Sequence, residues 1–261
     1  MNRSDLTQKQ RWEIADKLAA DRLPFINERL EEVHTIRSFY SQFGKRAIDI
    51  AVSILALGFT LPLNILFGFF TYMDVGLPLF FKQERVGKDG KKFYIVKFRN
   101  MRIEYDERGE MLPPEQRVTK FGKFMRKTSL DELLNFWSIL RGDMSIIGPR
   151  PLVPEYTNRY NKRHIKRLSV RPGLECPPRK DLDHVWDWNE QFDNDIWYVE
   201  NISLRTDIYM FFRLIKFTLD RKSAGARAVL SRGTFMGYSE DGRAINMDEV
   251  PESYIEAVLN Q

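Results

Sequence analysis

One apolar run dominates the hydropathy pattern. It begins after Lys45-Arg46, extends from Ala47 to about Tyr72, and contains Asp49 and Pro62. About 20 apolar residues suffice to cross a bilayer as a helix. Three features argue against a simple crossing. Pro62, flanked by Leu61 and Leu63 and near Thr60 and Asn64, predicts a break or sharp kink, because proline lacks the N–H and clashes with the preceding turn. Asp49 stands near the beginning, where a carboxylate is cheapest beside headgroups or a base. Both flanks are basic, with Lys45 and Arg46 before and Lys82, Arg85, Lys88, Lys91 and Lys92 after, and such flanks stay cytoplasmic. A helix–break–helix hairpin that enters and leaves by one face satisfies all three. The backbone groups freed at Pro62 would then be re-satisfied by Thr60 or Asn64. A buried core helix and a true span are the competing readings.

Elsewhere the pattern is that of a water-exposed domain. Residues 1–43 place Leu18, Leu23, Ile26, Leu30, Val33 and Ile36 at helical spacing, which predicts one or two amphipathic helices interrupted near Pro24. Segments 79–85 and 92–98 flank Gly87-Lys88-Asp89-Gly90 and read as a β-hairpin. Residues 104–117 read as loop, 120–127 and 130–141 as helices, 155–168 as a basic helix, and 204–220 as a strong amphipathic helix. A short helix is expected near 248–259. The fold class is therefore α+β, mostly helical: a re-entrant membrane helix hairpin plus a cytosolic domain with a small β-hairpin sheet. Four segments follow: an extension over 1–43, the membrane helix over 44–76, the main domain over 77–220 and a tail over 221–261.

Composition narrows the chemistry. Forty-one Lys and Arg against 36 Asp and Glu give a net charge of +5, which favours an anionic partner. One cysteine, Cys176, and three scattered histidines exclude a disulfide framework and a Cys/His zinc site. The basic residues are dispersed and match no nucleic-acid module, so no nucleic-acid partner is expected.

The most informative window is Ser129-Leu130-Asp131-Glu132-Leu133. Ser129 with Glu132 three residues on forms a capping-box pattern, predicting a helix that starts at Ser129. In that position the two acids only cap and complement the helix dipole, or they act. An ionised carboxylate in a first turn can serve as nucleophile or metal ligand, and an adjacent pair suits Mg2+. Arg126 lies just upstream. Arg150 lies downstream between Pro149 and Pro151, a stiff base for a guanidinium that grips phosphate.

These residues sit within a longer ordered pattern. It comprises Lys45-Arg46-x-x-Asp49, Gln83-x-Arg85-x-Gly87, Lys97-Phe98-Arg99-Asn100-Met101, Arg117-x-Thr119-x-x-Gly122 and Ser129-Leu130-Asp131-Glu132-Leu133. Gly142-Asp143-Met144-Ser145-x-x-Gly148-Pro149-Arg150-Pro151, Arg171-Pro172-Gly173 and Tyr198 with Asp207 complete it. In this the chain resembles the bacterial sugar transferases, the monotopic polyprenyl-phosphate phosphoglycosyl transferases, over about residues 44–220. The resemblance implies transfer of a sugar-1-phosphate from a nucleoside diphosphate sugar, usually UDP-linked, to polyprenyl (undecaprenyl) phosphate, with release of the nucleoside monophosphate. It implies the bacterial inner membrane, with the catalytic domain facing the cytoplasm. It makes Asp131 the nucleophile of a covalent phosphosugar intermediate and Glu132 a holder of Mg2+, with Asp131 sharing the ion. It makes Arg150 and Arg126 phosphate binders, joined by Lys97, Arg99 and Arg179, and sets Lys45 and Arg46 near the lipid phosphate.

The chain departs from that pattern at Leu134-Asn135, at Asn100, and over Leu174-Glu175-Cys176-Pro177-Pro178-Arg179, which is short and proline-stiffened. Two other classes compete: a non-catalytic membrane-surface protein and a Mg2+-dependent phosphohydrolase. The closing amphipathic segments offer a surface for a homodimer.

Overall fold

The computed structural model describes all residues except 1–2, 4–5, 107–108, 110, 181–183, 185, 220–231 and 261. Helix α1 (Gln8–Arg29) opens the chain, capped by Thr7, whose side chain accepts from the Gln10 N–H. It runs through Pro24 rather than ending there. A π-helical turn (Tyr40–Gly44) leads into α2 (Lys45–Val75), and the helix assignment passes through Pro62 without interruption. The predicted break is thus absent from the hydrogen-bonded helix. The expected polar side chains do line that region: Thr60 Oγ1 donates to the Ala56 carbonyl at 2.7 Å and accepts from Asn64 Nδ2 at 3.2 Å.

Tyr40–Val75 has a mean hydropathy of 2.2 in its most apolar window, and only 11% of that window is buried. Phe59, Leu55, Ile65 and Met73 are each more than 65% exposed. A core helix would hide such side chains, so the buried-core reading fails. Contiguous apolar surface of this extent marks a membrane or partner contact. Both ends of α2 are fastened to the same folded body. Near its start, Arg46 donates to the carbonyls of Ile139 and Leu140, and Asp49 accepts from the Ser145 hydroxyl and the Ile146 N–H at 3.0 and 3.1 Å. Near its end, Asp74 accepts from Thr119 at 2.5 Å, and Arg99 donates to the Val75 and Gly76 carbonyls.

The predicted hairpin is present as β1 (Phe80–Val86) and β2 (Lys92–Phe98), antiparallel with Phe80 opposite Phe98. Asp89 and Gly90, both left-handed, make its tip. Inside the expected 104–117 loop, α3 (Pro114–Arg117) is a single turn, and α4 (Lys120–Thr128) follows as expected. A Cβ at Gly122 would lie 2.1 Å from the Asn100 carbonyl oxygen, so only glycine lets α4 approach the end of β2 this closely.

The helix expected over 130–141 divides. Ser129 takes a left-handed conformation (φ 55°) and ends α4; its side chain makes no cap bond. Leu130–Glu132 form a 3-10 turn, and α5 covers only Asn135–Arg141. The capping box is therefore a misreading: Glu132 is drawn into ion pairs instead of folding back on Ser129.

Strands β3 (Ser145–Ile147) and β4 (Gly173–Glu175) pair in parallel. The basic 155–168 segment is two 3-10 stretches, Pro154–Arg159 and His164–Ser169, rather than one α-helix. Helices α6 (Trp188–Glu200) and α7 (Leu204–Leu219) follow. Beyond residues 220–231, which lie outside the described residues, β5 (Gly237–Tyr238), β6 (Ala244–Ile245) and α8 (Glu252–Leu259) form the tail.

The central core joins Phe93, Ile95, Ile139, Met144, Ile147, Tyr198 and Met210. The extension and the tail share a second core. Ile14, Ala15 and Leu18 of α1 pack with Met236, Ile245, Val250 and Ile255. Arg159, 1% exposed, ties this layer to the main domain by stacking over Trp12 at 4.5 Å and pairing with Asp16 at 3.1 Å.

Candidate active site

The local fold delivers Asp131 and Glu132 to opposite partners. Because the 3-10 turn places neighbouring side chains about 120° apart, Glu132 points to β2 and the β3–β4 loops while Asp131 turns inward. Glu132 Oε1 accepts from Lys97 Nζ at 2.5 Å and from Arg150 Nη2 at 2.8 Å. Arg150 also reaches Glu175 at 3.1 Å and the Leu174 carbonyl at 3.1 Å. Burial alone would raise the Glu132 carboxyl, but Arg150 and Lys97 outweigh it and hold Glu132 at about 2. Glu132 in turn raises Arg150, so the guanidinium stays charged.

Asp131 is 5% exposed, and Asn100 Nδ2 donates to its carboxylate at 3.4 Å, a weak bond. Asn100 Oδ1 accepts from Arg126 at 3.1 Å, so this amide bridges the acid to the cation. Burial raises the Asp131 carboxyl; Lys97 opposes this, Glu132 adds to it, and Arg126 opposes it more weakly. Asp131 is thus a desolvated carboxylate with little hydrogen bonding, a state that favours nucleophilic attack once ionised. The potential that serves it comes from Lys97 and Arg126, not from a helix N-terminus as the sequence predicted.

Four of the predicted basic residues lie elsewhere. Arg99 caps the end of α2. Lys45 is buried against Asp207 at 2.7 Å, which also accepts from the Tyr40 and Tyr198 hydroxyls, each at 2.5 Å. Arg46 is spent on α5 carbonyls. Arg179 stacks over Trp197 at 4.9 Å and bonds Asn194 at 3.2 Å. Among these, Arg99, Lys45 and Arg46 hold α2 in place instead of offering free charge.

The structure also adds residues. Asn100 and Glu175, which the sequence marks as departures from the family pattern and not as site residues, both touch the cluster. Arg85 lies close enough to feel Arg150 and Glu132, though burial is the main cause that lowers it. Its signal was its place in Gln83-x-Arg85-x-Gly87.

Arg150 is supported from behind. Arg167 donates to the Arg150 carbonyl at 2.8 Å and to Asp195 at 2.8 and 3.0 Å, and this pair is only 1–2% exposed. Burial lifts Asp195 to about 6 against the pull of Arg167. Replacing Asp195 by Asn strands a buried guanidinium, and the expected loss is about 3–5 kcal/mol of stability. Chemical denaturation of the detergent-solubilised protein checks this.

Oxygen donors alone flank the site, and no group of three His, Cys, Asp or Glu that could hold a metal occurs among the described residues. Lys97 and Arg150 both address Oε1, which leaves Oε2 of Glu132 and a carboxylate oxygen of Asp131. A hard Mg2+ commonly takes one or two carboxylates with water and phosphate as its other ligands, and Asp131 and Glu132 are the acids that could supply them.

Fold and site together define a protein that sets a buried carboxylate among cations beside a long, exposed apolar helix. The chain belongs to the bacterial sugar transferase family, whose model it matches over residues 40–221. It is 37% identical over 164 residues to a protein named uncharacterized sugar transferase EpsL of Bacillus subtilis, covering 63% of this chain and 81% of that one. It is 36% identical over 206 residues to the undecaprenyl-phosphate galactose phosphotransferase of Salmonella typhimurium, covering 70% of this chain and 42% of the relative. With the UDP-glucose:undecaprenyl-phosphate glucose-1-phosphate transferase of Xanthomonas campestris it shares 29% identity over 244 residues, 84% of this chain and 50% of that one. The chain thus spans half or less of the length of these last two relatives.

Proposed function

We propose that the protein transfers a sugar-1-phosphate from a UDP-sugar to undecaprenyl phosphate at the cytoplasmic face of the inner membrane. The observation that carries this is Asp131: a buried carboxylate set beside Lys97, Arg126 and Asn100, next to a Glu132 locked by two cations. The relatives' names supply the substrates.

In this reading an Asp131 oxygen attacks the sugar-bearing phosphorus. The bond to the bridging oxygen breaks and UMP leaves with that oxygen. Arg150, Lys97 and Arg126 stabilise the charge that builds on the phosphoryl oxygens. A phosphate oxygen of the lipid then attacks the same phosphorus, frees the carboxylate and yields a polyprenyl diphosphate sugar. Asp131 and Glu132 would hold Mg2+, which would offset the diphosphate charge.

The re-entrant path of α2 belongs to the same proposal. It is supported by the fastening of both helix ends to one folded body. A helix of 31 residues is about 46 Å long, so a transverse span would pull its ends to opposite faces of the membrane. Cysteines placed singly near residues 44 and 76 are expected to react with an impermeant maleimide only in inverted vesicles. Labelling one end from each side would refute the same-face path.

The reaction is tested in nanodiscs with Mg2+, undecaprenyl phosphate and a panel of UDP-sugars, following UMP. Release that needs both the lipid and one particular donor supports the transferase. Sustained turnover without lipid favours the phosphohydrolase, and no release with any donor favours the non-catalytic membrane protein.

A further inference from the structure

An open apolar groove of about 490 Å³ lies between the second half of α2 and the β-hairpin. Ile65, Phe69 and Tyr72 form one wall, Leu79, Phe80 and Phe98 the other, and Leu134 closes one end. Asn64, at one edge of the lining, turns its amide nitrogen to Thr60. The α2 wall continues into the lipid-facing surface, since Ile65, Phe69 and Tyr72 are each more than half exposed. A long chain can therefore enter sideways from the bilayer.

The groove borders the two segments that lead to the reacting acid. Phe98 lines it, and Asn100, two residues further, touches Asp131. Leu134 lines it, and Asp131 lies one turn earlier. An amphiphile stretched along the groove thus places a head at Asp131, where Lys97 and Arg126 supply positive potential. Apolar walls in a fold that sets cations beside the neighbouring acid match an isoprenoid chain with an anionic phosphate.

We infer that this groove holds the first isoprene units of the acceptor lipid and positions its phosphate on the phosphorus carried by Asp131. The inference rests on the transferase reading above. It makes Phe69, Phe98 and Leu134 determinants of acceptor selectivity, whereas the UDP-sugar contacts none of them.

Gly68 provides the test. A Cβ there meets only the Phe98 ring, at 3.7 Å, an ordinary contact, so a bulky side chain grows into the groove. In Gly68→Phe, KM for undecaprenyl phosphate should rise at least tenfold, while KM for the UDP-sugar and the lipid-free burst of UMP stay within twofold. The scale follows from apolar pockets, where one methylene changes discrimination by about 10–200-fold. Leu134→Trp, from the other end, should do the same and should narrow the preference for undecaprenyl over citronellyl phosphate. Unchanged acceptor KM in both variants, with wild-type melting temperatures, overturns the groove assignment and leaves it to a bilayer acyl chain. Loss of the burst together with unchanged acceptor dependence would also overturn it. Absence of lipid-dependent turnover in the wild type would instead remove the transferase reading itself.

Discussion

Asp131→Asn will abolish lipid-dependent UMP release while leaving the protein folded. Loss of a nucleophile that acts within a concerted group commonly costs about 10³-fold or more. The fold should tolerate the change, because the side-chain bond from Asn100 is long, at 3.4 Å, and burial already disfavours the Asp131 charge. Asn removes the charge and keeps the shape. The burst of UMP with donor alone must vanish too, which separates loss of the nucleophile from loss of acceptor binding. Mass spectrometry of the wild type mixed with donor alone should show a hexose-phosphate adduct on Asp131 that the variant lacks. A variant that retains a tenth of wild-type turnover would place the nucleophile elsewhere. The pH profile adds a check. Because burial raises Asp131, the acidic limb of the rate should lie above the usual aspartate range.

Arg150→Gln should have the second largest effect, a fall in turnover of about 10²–10³-fold, the usual cost of removing one preorganised donor from a transition state. It also carries a pH signature. In the wild type Glu132 stays ionised down to about 2, so it contributes no limb at ordinary pH. Without Arg150 its strongest counter-charge is gone, its pKa rises, and a new loss of activity should enter the profile from the acid side. Stability follows the same sign. Glu132 is depressed in the folded protein, so its contribution is complete above 4.5, the unfolded value, and is lost as pH falls from there towards 2. In Arg150→Gln that contribution shrinks, and acid unfolding should begin at higher pH. A pH profile parallel to wild type would show that Arg150 does not control Glu132.

The elements legible in the sequence were those whose cause is local. The hairpin, α4, α7 and the apolar helix each declare themselves by periodicity and turn residues. The cluster of Asp131, Glu132, Arg126, Lys97 and Arg150 was legible as motif content. What escaped was decided at long range. Ser129-x-x-Glu132 fits a capping box locally, yet Lys97 and Arg150, 35 and 18 residues away, claim the carboxylate. Arg99, Lys45, Arg46 and Arg179 carry the same charge as Lys97, and only the fold shows that carbonyls, an amide or Asp207 already take it. Asn100 was invisible as a site residue because its role depends on where α4 and the 3-10 turn bring Arg126 and Asp131.

The shared core of α1 and the tail imposes an order on biosynthesis. Leu18 cannot meet Ile245 until more than 200 further residues have been made, which takes about 10–45 s at 5–20 residues per second. During that interval the apolar helix has already left the ribosome. The terminal layer is therefore the last to close, and it closes over a domain whose chain has already been made.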